Sequence, residues 1–191
     1  SVVSASLASF WVARAMGKLG GPKAVPALRY ALIKDEDWTV RKEAASSIGR
    51  IGDPAGVDAL VHALADDKFG VTWNAQRALE AIGHDAVPQI LRQLKNSDPD
   101  TRSRAVKSLI PSGDPRAMDA LIGVLEDDDG FVRRDACIAL GRIGDPAAVE
   151  HLIAVFGRDK NRAVRYRAID AMSVILVRTP AEDQTGPPKW E

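Results

Sequence analysis

The phrase Val40-Arg41-Lys42-Glu43-Ala44-Ala45-Ser46-Ser47-Ile48-Gly49-Arg50-Ile51-Gly52-Asp53-Pro54 returns 92 residues later as Val132-Arg133-Arg134-Asp135-Ala136-Cys137-Ile138-Ala139-Leu140-Gly141-Arg142-Ile143-Gly144-Asp145-Pro146. That interval is three periods of about 31, and weaker copies stand at Val71-Thr72, Thr101-Arg102 and Val164-Arg165. A chain that repeats at such a period builds its core by covering each unit with the next, so the fold it allows is a stack.

Each period divides into two helices. Pro54 to Asp66 carries Val57, Leu60, Val61 and Leu64 at helical spacing, and Trp38 to Ile51 does the same with Val40, Ala44, Ala45, Ile48 and Ile51. Each segment thus gathers its apolar side chains on one face. Gly52-Asp53-Pro54 marks one junction: Gly allows the left-handed backbone that ends a helix, Asp53 caps the next, and Pro fits a first turn that needs no amide donor. Asp114 and Asp145 take the same cap position in Gly113-Asp114-Pro115 and Gly144-Asp145-Pro146, while Gly20-Gly21-Pro22 keeps all but the cap. The other junction is acidic, through Asp35-Glu36-Asp37, Asp66-Asp67, Asp98, Asp127-Asp128-Asp129 and Asp159, where helix starts favour negative charge. Counting gives a leading half unit over 5–19 and five helix pairs that begin near Pro22, Pro54, Asp85, Pro115 and Pro146. The expectation is one solenoid domain over 1–178 and a flexible, proline-bearing tail over 179–191.

Formal net charge is zero, from 26 basic and 26 acidic residues, so any pull on a polyanion has to come from how charge is distributed. A single Cys excludes an intrachain disulfide framework. No apolar run reaches the ~18 residues of a membrane span and no secretory signal pattern opens the chain, which reads as cytoplasmic. His62, His84 and His151 stand apart, and neither a zinc-spaced cluster nor a phosphate-binding glycine loop occurs. Cys137 fills the slot that Ala45 fills in the parallel unit, as a packed thiol would. Neither catalysis nor a metal is expected.

The succession of Gly-Asp-Pro, an Ala/Val/Leu helix, an acidic loop, Val-Arg-x-x-Ala-Ala and Leu-Gly-x-Ile-Gly resembles the HEAT repeats of the phycobilin-lyase type, over residues 5–178. The resemblance implies an all-α fold, a right-handed α–α superhelix with the Val-Arg helices on its concave side. It also implies that Arg41, Arg102, Arg133 and Arg165, which share one slot, are structural and pair with acidic loop residues. The metal hydroxylase of this repeat family uses paired His-Glu steps, and no His here is followed by Glu.

The outward slots of the Val-Arg helices are the two positions before Val-Arg, the two after it, the one after Ala-Ala and the one between Gly and Ile. Over six units they hold eleven basic residues, Arg14, Lys18, Lys42, Arg50, Arg77, Arg104, Lys107, Arg134, Arg142, Arg162 and Arg167, against four acidic ones, Glu43, Asp100, Asp135 and Asp170. They also hold seven of the ten aromatic residues, Phe10, Trp11, Trp38, Phe69, Trp73, Phe131 and Tyr166. Phe69 and Phe131 have a second reading as covers for the ridge between repeats. Rigid rings among Arg and Lys are what binding surfaces concentrate, and six helices spaced ~8–10 Å apart would line a groove roughly 50 Å long.

Departures from the repeat gather at its centre. Thr72 stands in the Arg slot, Gln76 in a small-residue slot, and Glu80 in place of a helix-ending Gly, while Pro111 should stop the fourth Val-Arg helix near Ile110. Trp73, Asn74 and Arg77 are therefore the expected contact centre. The function expected is a non-enzymatic scaffold that takes an acidic or amphipathic protein segment through Trp38, Lys42, Arg50, Phe69, Trp73, Asn74, Arg77, Arg104, Lys107, Phe131, Arg134, Arg142, Tyr166 and Arg167. Two alternatives stand beside it: a bilin lyase or bilin-handling subunit, which the resemblance implies and which would bring a bilin as cofactor, and a nucleic-acid binder, against which overall neutrality and the acidic loops count.

Overall fold

Each repeat folds as its spacing dictates, into a short helix followed by a longer one. The protein, here a computed structural model, is described over residues 2–110 and 114–178; the tail expected at 179–191 and Pro111 itself lie outside the described residues. The chain divides into two units, Ser1–Ser112 and Gly113–Glu191. The first contains α1 (Val2–Leu19), α2 (Val25–Lys34), α3 (Trp38–Ile51), α4 (Val57–Ala63), α5 (Phe69–Ile82), α6 (Val87–Gln93) and α7 (Pro99–Leu109). The second contains α8 (Met118–Val124), α9 (Gly130–Ile143), α10 (Val149–Arg158) and α11 (Arg162–Arg178). Among the described residues there are no strands, and no helix is long and apolar enough to cross a membrane.

In the first unit α3 lies between α1 and α5 in one layer, and α2, α4 and α6 form the other. In the second, α9 packs on α11 in one layer and each pairs with the short helix before it. The buried stripes are those the periodicity marks: Val40, Ala44, Ala45 and Ile48 in α3, and Val132, Ala136, Cys137 and Leu140 in α9. α7 stops at Leu109, with Ile110 as its cap, near where the sequence expects the helix to end.

Three local expectations change. The helix before the acidic loop is shorter than its sequence pattern, because each Gly-Asp-Pro junction first winds a tight 3-10 turn. Asp53, Asp114 and Asp145 accept from the amides of Ala55, Arg116 and Ala147, while their own carbonyls accept from Gly56, Ala117 and Ala148; the α-helix begins only afterwards. The leading helix starts at Val2 and not near residue 5. Glu80, lastly, does not replace a helix-ending glycine. α5 runs on to Ile82 and ends at Gly83, whose φ is 62°, so Glu80 is an interior residue in the slot of Gly49 and Gly141.

That slot sets how closely the long helices approach. A Cβ on Gly17 would stand 2.2 Å from Ser47 Oγ, one on Gly49 2.6 Å from Ala78 Cα, and one on Gly141 2.9 Å from Ala171 Cα. α3 on α5 and α9 on α11 are thus backbone-close contacts, and α1 meets α3 through the Ser47 side chain, so any side chain in the slot would wedge each pair open.

The Arg slot ties the acidic loops to the long helices. In all four cases Nη1 donates to two successive carbonyls of the loop before its own helix: Arg41 to Asp35 and Glu36, Arg102 to Asn96 and Ser97, Arg133 to Asp127 and Asp128, and Arg165 to Asp159 and Lys160. Arg41 and Arg133 then reach the following loop as a fork, Nε and Nη2 donating to Asp66 at 2.6 and 3.0 Å and to Asp159 at 2.7 and 3.0 Å. One side chain therefore joins two repeats, with the planar bidentate geometry that Lys lacks. The loop carboxylates divide the work. Asp37, Asp98 and Asp129 cap α3, α7 and α9, while Asp66 and Asp159 accept the guanidinium.

Asp159 is held below the usual carboxylate range chiefly by the Arg133 hydrogen bond. At Asp66 burial opposes ionisation most strongly, and the Arg41 and backbone hydrogen bonds outweigh it to leave the pKa lowered. A carboxylate with a depressed folded pKa adds stability above its unfolded value of ~3.9 and loses it as pH falls through the folded value. The unfolding midpoint should therefore drop as pH is taken from about 4 downward, and the Asp66→Asn/Asp159→Asn double variant should start lower at neutral pH yet lose less on acidification; denaturant titrations at a series of pH values measure both.

Packing makes a second prediction. Gly49→Ala and Gly141→Ala should each cost ~1–3 kcal/mol by overpacking. Gly123→Ala and Gly157→Ala, where a Cβ meets nothing within 4 Å, should gain ~0.4–1 kcal/mol through the unfolded chain. Chemical denaturation of the four variants tests the sign at each position.

Candidate functional site

Rings and cations in the outward slots pair within their own helices. A cation lies over the ring at Arg14–Trp11, Lys42–Trp38, Arg77–Trp73, Arg134–Phe131 and Arg162–Tyr166, at 5.1 to 5.4 Å from the centroid. The spacing of three or four residues puts each pair on one helix face. Contacts of this kind at exposed sites contribute ~0.5–1 kcal/mol, enough to hold a ring upright and too little to explain why it stays in water. Trp38 is 40% exposed, Trp73 48%, Phe69 79% and Phe131 64%, so neither phenylalanine covers a ridge between repeats.

The first unit places Trp38, Lys42 and Arg50 on α3, Phe69, Trp73, Asn74 and Arg77 on α5, and Arg104 and Lys107 on α7. The second places Phe131, Arg134 and Arg142 on α9 and Tyr166 and Arg167 on α11. Several of these have local tasks. Asn74 Nδ2 donates to the Gly70 carbonyl of its own helix, Arg167 pairs with Asp170 at 3.0 Å, and Arg178 donates to the Arg142 carbonyl. Two of the four acidic slot residues are not on the surface: Glu43 and Asp135 are buried, against Arg50 at 3.5 Å and Arg134 at 2.8 Å.

Toward the end of the first unit, at α5, the repeat is broken. Between α5 and α7 opens a cleft of about 300 Å³, lined by Leu64, Phe69, Thr72, Trp73, Gln76, Leu79, Glu80, Arg104, Lys107 and Ser108. Every cause is a substitution in a framework slot. Glu80 stands where Gly49 lets α3 touch α5, and Gln76 where Ala45 and Cys137 are buried, so long polar side chains occupy the space a neighbouring backbone would need. Thr72 cannot bridge loops as Arg does; its hydroxyl donates to Phe69 O at 2.9 Å within its own helix. The matching acceptor slot in the next loop is Asn96 and not Asp, so the missing cation leaves no unpaired carboxylate behind. Sequence reasoning marked Thr72, Gln76 and Glu80 as departures but did not place them in the site; Leu64, Leu79 and Ser108 carry no signal of their own and become lining only because the two helices part.

Residues 8–80, 28–109, 70–136 and 87–173 match the family of HEAT repeats. Among solved structures, one concerned with microtubule plus-end tracking by XMAP215, CLIP-170 and EB1 is 17% identical at a TM-score of 0.60, over 83% of this chain and 76% of that one. Human deoxyhypusine hydroxylase is 24% identical at 0.43, over 96% and 74%. The CpcE–CpcF complex of a Nostoc phycocyanin lyase is 22% identical at 0.36, over 90% and 90%. A comparison with curated proteins gives no match. At such identities the likeness shows the fold, an all-helical repeat solenoid.

The one thiol of the chain is not placed for chemistry. Cys137 is fully buried in α9, and desolvation, followed by the Asp159 charge, pushes it up to about 12. The thiolate is the nucleophile, so at neutral pH the native protein should leave a disulfide reagent such as DTNB uncleaved, and should react with one equivalent once denatured; absorbance at the thionitrobenzoate band reads both.

Proposed function

Because the chain belongs to the HEAT-repeat family, we propose that it is a non-enzymatic scaffold that binds a protein segment on the outward face of its Val-Arg helices. The observation that carries this reading is the set of ring–cation pairs, one on each of five long helices, three in the first unit and two in the second, with every ring exposed. Amphipathic rings bring contact area at small cost in conformational entropy, and the Arg and Lys beside them attract carboxylates and set orientation. Framework arginines do not compete for this role, since Arg41 and Arg133 are spent on loop carbonyls and carboxylates. The partner that suits such a face is an acidic or amphipathic segment.

The test is capture and cross-linking from lysate with the whole chain, read by mass spectrometry, beside a Trp38→Ala/Trp73→Ala/Arg77→Ala variant. The variant should lose the captured protein while its unfolding free energy changes by no more than about 1–2 kcal/mol, as removal of exposed contacts requires. Equal capture by the variant would place the contact elsewhere, and retention on a DNA column that falls steeply with salt would assign the face to nucleic acid.

A further inference from the structure

The α5–α7 cleft has properties that the ring–cation pairs alone do not explain. Its floor is apolar, from Leu64 and Leu79, and one wall is aromatic, from Phe69 and Trp73. The opposite wall is α7, which brings Arg104 and Lys107. Arg104 is mostly buried: Nη2 donates to Thr101 Oγ1 at 2.9 Å and to Asp98 at 3.3 Å, while Nε is buried without a hydrogen-bond partner. A buried donor left unpaired costs ~1–3 kcal/mol, and among the described residues no hydrogen-bond partner for this Nε removes that cost. Glu80, the carboxylate in the cleft, accepts from Gln76 Nε2 at 3.2 Å instead.

We infer that this cleft is an anchor site for a partner segment that presents an apolar side chain next to a carboxylate, the apolar group entering between Trp73, Phe69 and Leu79 and the carboxylate completing the donors of Arg104. The inference rests on the scaffold reading and narrows its partner. Size supports it. About 300 Å³ is the bottom of the ~300–1,000 Å³ range of small-molecule sites, room for one or two side chains. The charge of the lining matches as well: Arg104, Lys107 and nearby Arg77 stand against Glu80 in the cleft and Asp98 beside Arg104. The repeat supplies the third reason: three framework slots, at Thr72, Gln76 and Glu80, are changed together at one junction, and the neutral Asn96 accompanies them, so the opening is made without stranding a charge.

The probe is a library of random peptides displayed on phage, panned against the full chain. Enriched peptides should share an apolar residue beside Asp or Glu, and a synthetic one should bind Ser108→Phe, which fills the cleft, about tenfold or more weakly by fluorescence anisotropy. Arg104→Gln should weaken it by a similar factor, and a peptide with Asn or Gln in place of its acid should bind wild type and Arg104→Gln alike, a coupling that a merely structural role for Arg104 does not produce. Thermal melts of both variants show whether they are folded; if Ser108→Phe is not, Ser108→Leu takes its place. Unchanged affinity in the filled variant, or selected peptides without an acid, overturns the cleft assignment. Should Trp38→Ala weaken the peptide while the cleft variants do not, the scaffold reading stands and the anchor site falls. No enriched peptide at all, or displacement by a short DNA, removes both.

Discussion

The structure depends on one guanidinium used repeatedly. In each of four long helices an Arg donates to two consecutive carbonyls of the preceding loop, and Arg41 and Arg133 also grip a carboxylate of the next loop with a forked pair of bonds. Loops in a stack of helix pairs expose carbonyls that no helix satisfies, and an always-ionised, planar donor can serve several at once. The carboxylate that meets it, Asp66 or Asp159, also accepts the backbone amide two residues on. Loop shape, helix start and repeat-to-repeat spacing are therefore held by the same few atoms, and burial of the Val, Leu and Ile stripes follows once the helices are set.

Seen from that constraint, the cleft in the first unit is a consequence of relaxing it at one junction. Framework arginine, interior glycine and small packing residue are replaced together by Thr72, Glu80 and Gln76. Tight helix pairs elsewhere show what is given up, since Gly49 and Gly141 leave no space even for a methyl group against the facing backbone. Cohesion lost at a junction of a repeat protein is local, because each repeat touches only its neighbours. A binding site can thus be opened inside a solenoid without disturbing the repeats away from it.

The exposed rings obey a different logic. They sit where the framework makes no demand, one to three positions from the Arg slot, and Trp11, Trp38, Trp73, Phe131 and Tyr166 are each steadied by a cation a turn away. Glu43 and Asp135, which share those slots by sequence, turn inward to Arg50 and Arg134.

The period, the two helices per unit, the aspartate caps and the buried thiol were all legible in the residues, because each follows from local rules: apolar spacing, cap chemistry and the slot that Cys137 shares with Ala45. The pairing of Trp38 with Lys42 or Trp73 with Arg77 was legible as a shared face, although not as contact. Other features needed the third dimension. That Glu80 is an interior residue facing a neighbouring helix, that Asn74 turns back to its own backbone, and that Leu64 and Leu79 come to line a cleft are decided by how closely two helices far apart in sequence approach. A one-dimensional pattern states which residues recur; the gap between α5 and α7 exists because side-chain volume in two slots meets a backbone that only tertiary packing brings there.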